Sequence, residues 1–67
     1  MSESNRVLAS EDPETVRMLA EVLPLYEGET ILWFRKEDHG YSLRVRTADG
    51  FEGMHDVYDF QLGLKGF

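Results

Sequence analysis

Two histidines each stand beside an aspartate, as Asp38-His39 and His55-Asp56. With Glu52 they form a set of imidazole and carboxylate donors of the kind that holds zinc, iron or nickel. A structural site needs about four ligands in register. His39 falls in a hairpin loop and His55 in a later strand, and no spacing ties them together. They read as two surface histidines, and no metal or other cofactor is expected.

Nucleophilic catalysis needs a hydroxyl or thiol beside a base that a third group orients. Ser42 lies between Tyr41 and Leu43, and no strained turn presents it. The chain has no cysteine, which removes a thiolate nucleophile, a zinc-thiolate site and a disulfide framework. Gly28, Gly40, Gly50 and Gly53 sit singly at turns or strand kinks and make no phosphate-binding loop. Carboxylates are plentiful, but pairs on an open surface have no cause for shifted pKa values. The chain reads as a non-enzyme.

Arg44 and Arg46, with Arg35 or Lys36, fall close to Trp33 and Phe34. Basic-aromatic sheet faces of this kind bind single-stranded nucleic acid. Thirteen acids against seven bases give a net charge of −6, which works against phosphate contacts. These bases are expected on a solvated outer face, paired with Glu52 or Asp56. Neither nucleic acid nor a membrane surface is an expected partner.

The remaining chemistry is acidic. Glu27, Glu29, Glu37, Asp38 and Asp49 fall in turns, and Glu52, Asp56 and Asp59 follow. Spread evenly over a globule of this mass, thirteen acids give about one per 340 Å². Duplex DNA presents about one charge per 110 Å². Imitation of DNA therefore requires the acids to cluster.

The elements that position these residues begin with a helix. Asp12 is placed to cap it, and Pro13 suits its first position because the missing N–H is unpaired there anyway. Val16, Leu19, Ala20 and Leu23 recur at helical spacing, and Pro24 ends the run near Leu23. Before it, Val7-Leu8-Ala9 reads as an edge strand or a staple. Thr30 to Lys36 reads as a strand, apolar on both faces at Ile31, Leu32, Trp33 and Phe34. Glu37-Asp38-His39-Gly40 is a hairpin loop. Tyr41 to Thr47 alternates cleanly, with Tyr41, Leu43 and Val45 on one face and Ser42, Arg44 and Arg46 on the other. Asp49-Gly50 marks a second hairpin. A third strand runs from Phe51 to about Val57. Val57, Phe60 and Leu64 share a helical stripe, against which Gly63 and Gly66 argue.

The expected fold is α+β: one N-terminal α-helix packed on a three-stranded antiparallel β-meander, with a short irregular or helical C-terminal segment. All 67 residues form one compact domain, with residues 1–6 flexible. The apolar fraction of 42% and eight aromatics separate the chain from disordered acidic tails. No stretch approaches the ~20 apolar residues of a membrane span. Met1 to Asn5 lacks the basic and apolar regions of a signal peptide. A cytoplasmic location is expected.

In its size, its acidity and its helix-plus-meander plan, the whole chain resembles the small acidic phage-encoded inhibitors of the anti-CRISPR type, which act on type I surveillance complexes. The resemblance carries no motif. It implies a cofactor-free inhibitor in the host cytoplasm that binds a protein with a basic nucleic-acid-binding surface and blocks DNA loading. Glu27, Glu29, Glu37, Asp38, Asp49, Glu52, Asp56 and Asp59 would make that contact. The alternative is a non-catalytic interaction module, regulatory subunit or homodimer that uses Trp33, Phe34, Tyr58, Phe60 and Phe67. A monomer is expected ahead of a homodimer.

Overall fold

The structure is a computed structural model that describes residues 6–23 and 25–67. The expected helix is α1, Pro13–Val22, with Leu23 as its C-terminal cap. The Asp12 carboxylate accepts from the Thr15 backbone N–H at 3.1 Å and the Thr15 hydroxyl at 2.7 Å. These bonds satisfy donors that the first helical turn leaves unpaired. Pro24, read from sequence as the stop of this helix, lies outside the described residues.

The sheet has four strands, one more than the sequence suggests. The patch before the helix is the edge strand β1, Arg6–Leu8, followed by a single 3-10 turn at Ala9–Glu11. Three residues are too few for alternation to declare a strand. Arg6, expected in a flexible tail, instead lies opposite Arg35 in the ladder. The other strands are β2 at Thr30–Glu37, β3 at Gly40–Arg46 and β4 at Glu52–Tyr58. All pairs are antiparallel, in the order β1-β2-β3-β4. The C-terminal segment resolves into the short helix α2, Asp59–Leu64. Tyr58 N–H donates to the Gln61 carboxamide at its start, at 2.8 Å. Gly66, at φ 88°, takes the left-handed turn that ends it.

The four consecutive apolar residues of β2 are sorted by an irregularity. The β2–β3 register shifts between Ile31 and Trp33. A bulge inserts one residue and reverses the facing that follows. Ile31 and Phe34 therefore both point inward, although three residues apart, and Trp33 points outward. The core joins Leu19 and Val22 of α1, Leu62 of α2, and Ile31, Phe34, Leu43, Val45 and Val57 of the sheet. Both helices thus cover one sheet face. The opposite face carries Trp33, Arg35, Ser42, Arg44, Arg46 and the even-numbered residues of β4.

Candidate functional site

On the sheet face opposite the two helices the arginines are held in place. The Arg6 and Arg35 guanidinium carbons lie 5.1 and 5.9 Å from the centre of the Trp33 ring. Arg35 also donates to Glu37 at 2.6 Å. Across β3 and β4, Glu52 accepts from Arg44 Nε at 3.0 Å and from Arg46 Nη2 at 3.2 Å. The Arg44 bond, then the Arg46 bond, pull the Glu52 carboxyl below its ordinary pKa. The buried Ser42 hydroxyl donates to Asp56 at 3.0 Å, and His39 Nε2 lies 3.8 Å from the same carboxylate. The expected pairing of these bases with Glu52 is present. The face carries two separate sets of ion pairs, Arg35 with Glu37 and Arg44 and Arg46 with Glu52.

The eight acids proposed for partner contact are divided among three places. Glu27, Glu29 and Asp49 lie at one end of the sheet. A Cβ on Gly28 would stand 2.7 Å from the Ala48 side chain, so these two turns touch. Glu37, Asp38 and Asp59 lie at the other end, where Asp59 N–H donates to the His39 carbonyl at 2.8 Å. Strand rise puts the two ends about 23 Å apart. Glu52 and Asp56 lie on the outer sheet face between them, engaged as described. Glu37 is likewise paired, and Glu29 accepts from Tyr26 N–H at 2.8 Å. The eight are thus spread over both ends and the outer face of the sheet, and Glu37 and Glu52 are paired with arginines.

Apolar exposure is more concentrated. Among the described residues, six of the eight exposed large apolar side chains fall between residues 51 and 67: Phe51, Met54, Tyr58, Phe60, Leu64 and Phe67. Phe60 is 68% exposed and Leu64 82%. The Tyr58 and Phe60 rings stack with centroids 6.1 Å apart, and Tyr58 also meets His39 at 5.0 Å. Contiguous exposed apolar patches commonly mark interaction sites, and within this set the Tyr58 and Phe60 rings are in contact.

Of the apolar residues picked from sequence for an interface, Phe34 belongs to the core at 4% exposure. The bulge turns it inward. Tyr58, Phe60 and Phe67 are exposed, and Trp33 is half-buried beneath its arginines. Sequence reasoning missed Phe51, Met54 and Leu64. The signal for Met54 was the alternation of β4, which sets it on the same face as Glu52, Asp56 and Tyr58.

No three histidine, aspartate or glutamate side chains converge among the described residues, and no pocket indents their surface. No helix there is long and apolar enough to cross a membrane. Comparison with family models, curated proteins and solved structures gives no match.

Proposed function

We propose that the chain is a non-catalytic protein-binding module that seats its partner on the apolar strip of β4 and α2. The observation behind this reading is the run of exposed Met54, Tyr58, Phe60 and Leu64 along one strand and the helix after it, with Phe67 just beyond. Interface cores are enriched in aromatic residues and methionine and poor in charge. The strip has that composition, and the ion pairs of the sheet face adjoin it as a polar rim. The acidic remainder keeps the module soluble.

The test uses immobilised wild-type protein and a Phe60→Ser, Leu64→Ser double variant, each offered a bacterial cytoplasmic extract. Captured proteins are released in salt steps and identified. A salt-resistant partner that the double variant fails to hold is the expected result. A partner retained equally by the variant would overturn the reading. Both side chains are exposed, so the variant should fold.

A second reading keeps the acidic surface. Glu27, Glu29 and Asp49 share one end of the sheet because their turns touch at Gly28 and Ala48. On this reading the protein is an anti-CRISPR-type inhibitor in the host cytoplasm, and that end enters a basic DNA-binding groove of a type I surveillance complex. Release of such a complex at moderate salt would support it.

A further inference from the structure

The sheet has two unlike edges. β1 is three residues long, whereas β4 runs for seven, Glu52–Tyr58. Its pairing with β3 continues without a shift from Gly40–Tyr58 to Arg46–Glu52. Natural edges are blunted by charged side chains, above all lysine, by proline, bulges or brevity, or by a covering helix or loop. β4 carries two carboxylates, Glu52 and Asp56, and is followed by the short helix α2, but it has no lysine, proline or bulge and is not short.

The phase of its free groups follows from the bonds at its two ends. Thr47 N–H donates to the Phe51 carbonyl at 2.7 Å, and Asp59 N–H donates to the His39 carbonyl at 2.8 Å. Antiparallel bonding alternates with a period of two. The odd-numbered residues of β4 therefore bond to β3. Glu52, Met54 and Asp56 direct their N–H and C=O groups to the open side. Tyr58 directs its carbonyl there, while its N–H is taken by Gln61.

We propose that this edge pairs with β4 of a second copy of the chain, antiparallel and centred on His55, in one continuous eight-stranded sheet. The inference rests on the reading of β4 and α2 as the binding surface and names its occupant. It sets a dimer where the sequence alone suggests a monomer.

The register follows from symmetry and charge. A two-fold axis normal to the sheet keeps each side chain on its own face, so the axis must pass through a residue of β4. An axis at Asp56 sets that carboxylate opposite itself. An axis at Met54 sets Glu52 opposite Asp56 twice. Like charges directly opposed destabilise a ladder. An axis at His55 alone pairs all seven residues. It sets Glu52 opposite Tyr58 and Met54 opposite Asp56. The same register carried one step further brings the exposed Phe51 against the start of α2 in the second copy.

The chain has no cysteine, so single-cysteine variants report the register cleanly. An axis at His55 makes residue 55 face itself in a non-hydrogen-bonded pair, with α-carbons about 4.5 Å apart. Under mild oxidation His55→Cys should cross-link to a dimer. Met54→Cys and Asp56→Cys should each stay single and should link when mixed. Sedimentation of the wild type should give twice the 7.8 kDa chain mass. Met54→Pro removes an N–H that β3 does not use, so it should return the mass to that of one chain with an unchanged circular dichroism spectrum.

A wild type that sediments at 7.8 kDa up to millimolar concentration overturns the pairing. Self-linking of Met54→Cys equal to that of His55→Cys overturns the register. A monomer whose capture of another protein still depends on Phe60 and Leu64 overturns the self-pairing but spares the binding strip. A monomer that captures nothing removes both.

Discussion

The α-carbon of Gly40 lies against the carbonyl oxygen of Val57, with no room for a side chain between them. A Cβ there would also stand 2.9 Å from the α-carbon of Tyr58. Gly40 has φ 148°, a conformation that other residues rarely adopt. It both closes the β2–β3 hairpin and lets β4 approach. Gly40→Ala should therefore cost about 3 kcal/mol or more, the sum of backbone strain and a backbone clash. Gly50, at φ 94°, has open space around it. Gly50→Ala should cost about 1 kcal/mol. Urea unfolding of the two variants checks the difference. Equal losses would show that the contact with β4 does not matter.

The core is thin, so one cavity should be decisive. Leu43 is fully buried at the centre of β3, between β2 and β4. Leu43→Ala should cost about 2–5 kcal/mol through lost burial and the space left behind. A domain of this size holds only a few kcal/mol in total. The variant should be largely unfolded at room temperature by circular dichroism. Met54→Ala, on the exposed face of β4, should change stability by about 0.5 kcal/mol or less.

The acid limit of stability should pass through Glu52. Its folded pKa lies below the ordinary 4.5, first through the Arg44 hydrogen bond and then the one from Arg46. A depressed carboxylate pKa contributes stability that is present above the unfolded value and lost as pH falls through the folded one. The loss therefore falls below about pH 4.5. Asp12, lowered by its bonds from Thr15, adds a loss below about pH 3.8. Melting temperatures between pH 7 and pH 3 should fall less steeply for Glu52→Gln than for the wild type. Parallel curves would mean that the Arg44 and Arg46 bonds do not persist in solution.

What was legible from sequence is what local chemistry alone decides. Asp12-Pro13 declares a helix start wherever it lies, and Asp49-Gly50 declares a hairpin. The alternation from Tyr41 to Val45 fixes which face of β3 is buried. The fourth strand was not legible as such, because Val7 needs Phe34 opposite it before it counts as paired. The facing of β2 was hidden by a bulge that four successive apolar residues cannot reveal. Val22 was missed because the helical stripe was traced through Leu23 instead. That several acids stand at or beside turns is plain from the sequence. Their pairing with Arg35, Arg44 and Arg46 depends on cross-strand register, which no residue count gives. The apolar strip likewise exists only because α2 folds back beside β4.

Charge reversal at one end of the sheet separates the two binding surfaces. Glu27→Lys, Glu29→Lys and Asp49→Lys together change the end where the two turns meet, about 23 Å from the opposite end. They lie away from Phe60 and Leu64 and remove one local bond, that of Glu29 to Tyr26 N–H. If the partner is basic and sits on the β4–α2 strip, these acids act only during approach. Association should slow about tenfold at low salt, and the difference should vanish at high salt. Dissociation should not change, because no contact in the complex has been removed. Binding kinetics against the captured partner at two ionic strengths give both rates. A dissociation rate that rises with the reversal would put Glu27, Glu29 and Asp49 inside the interface, and the acidic end would then be the surface that enters the partner's groove.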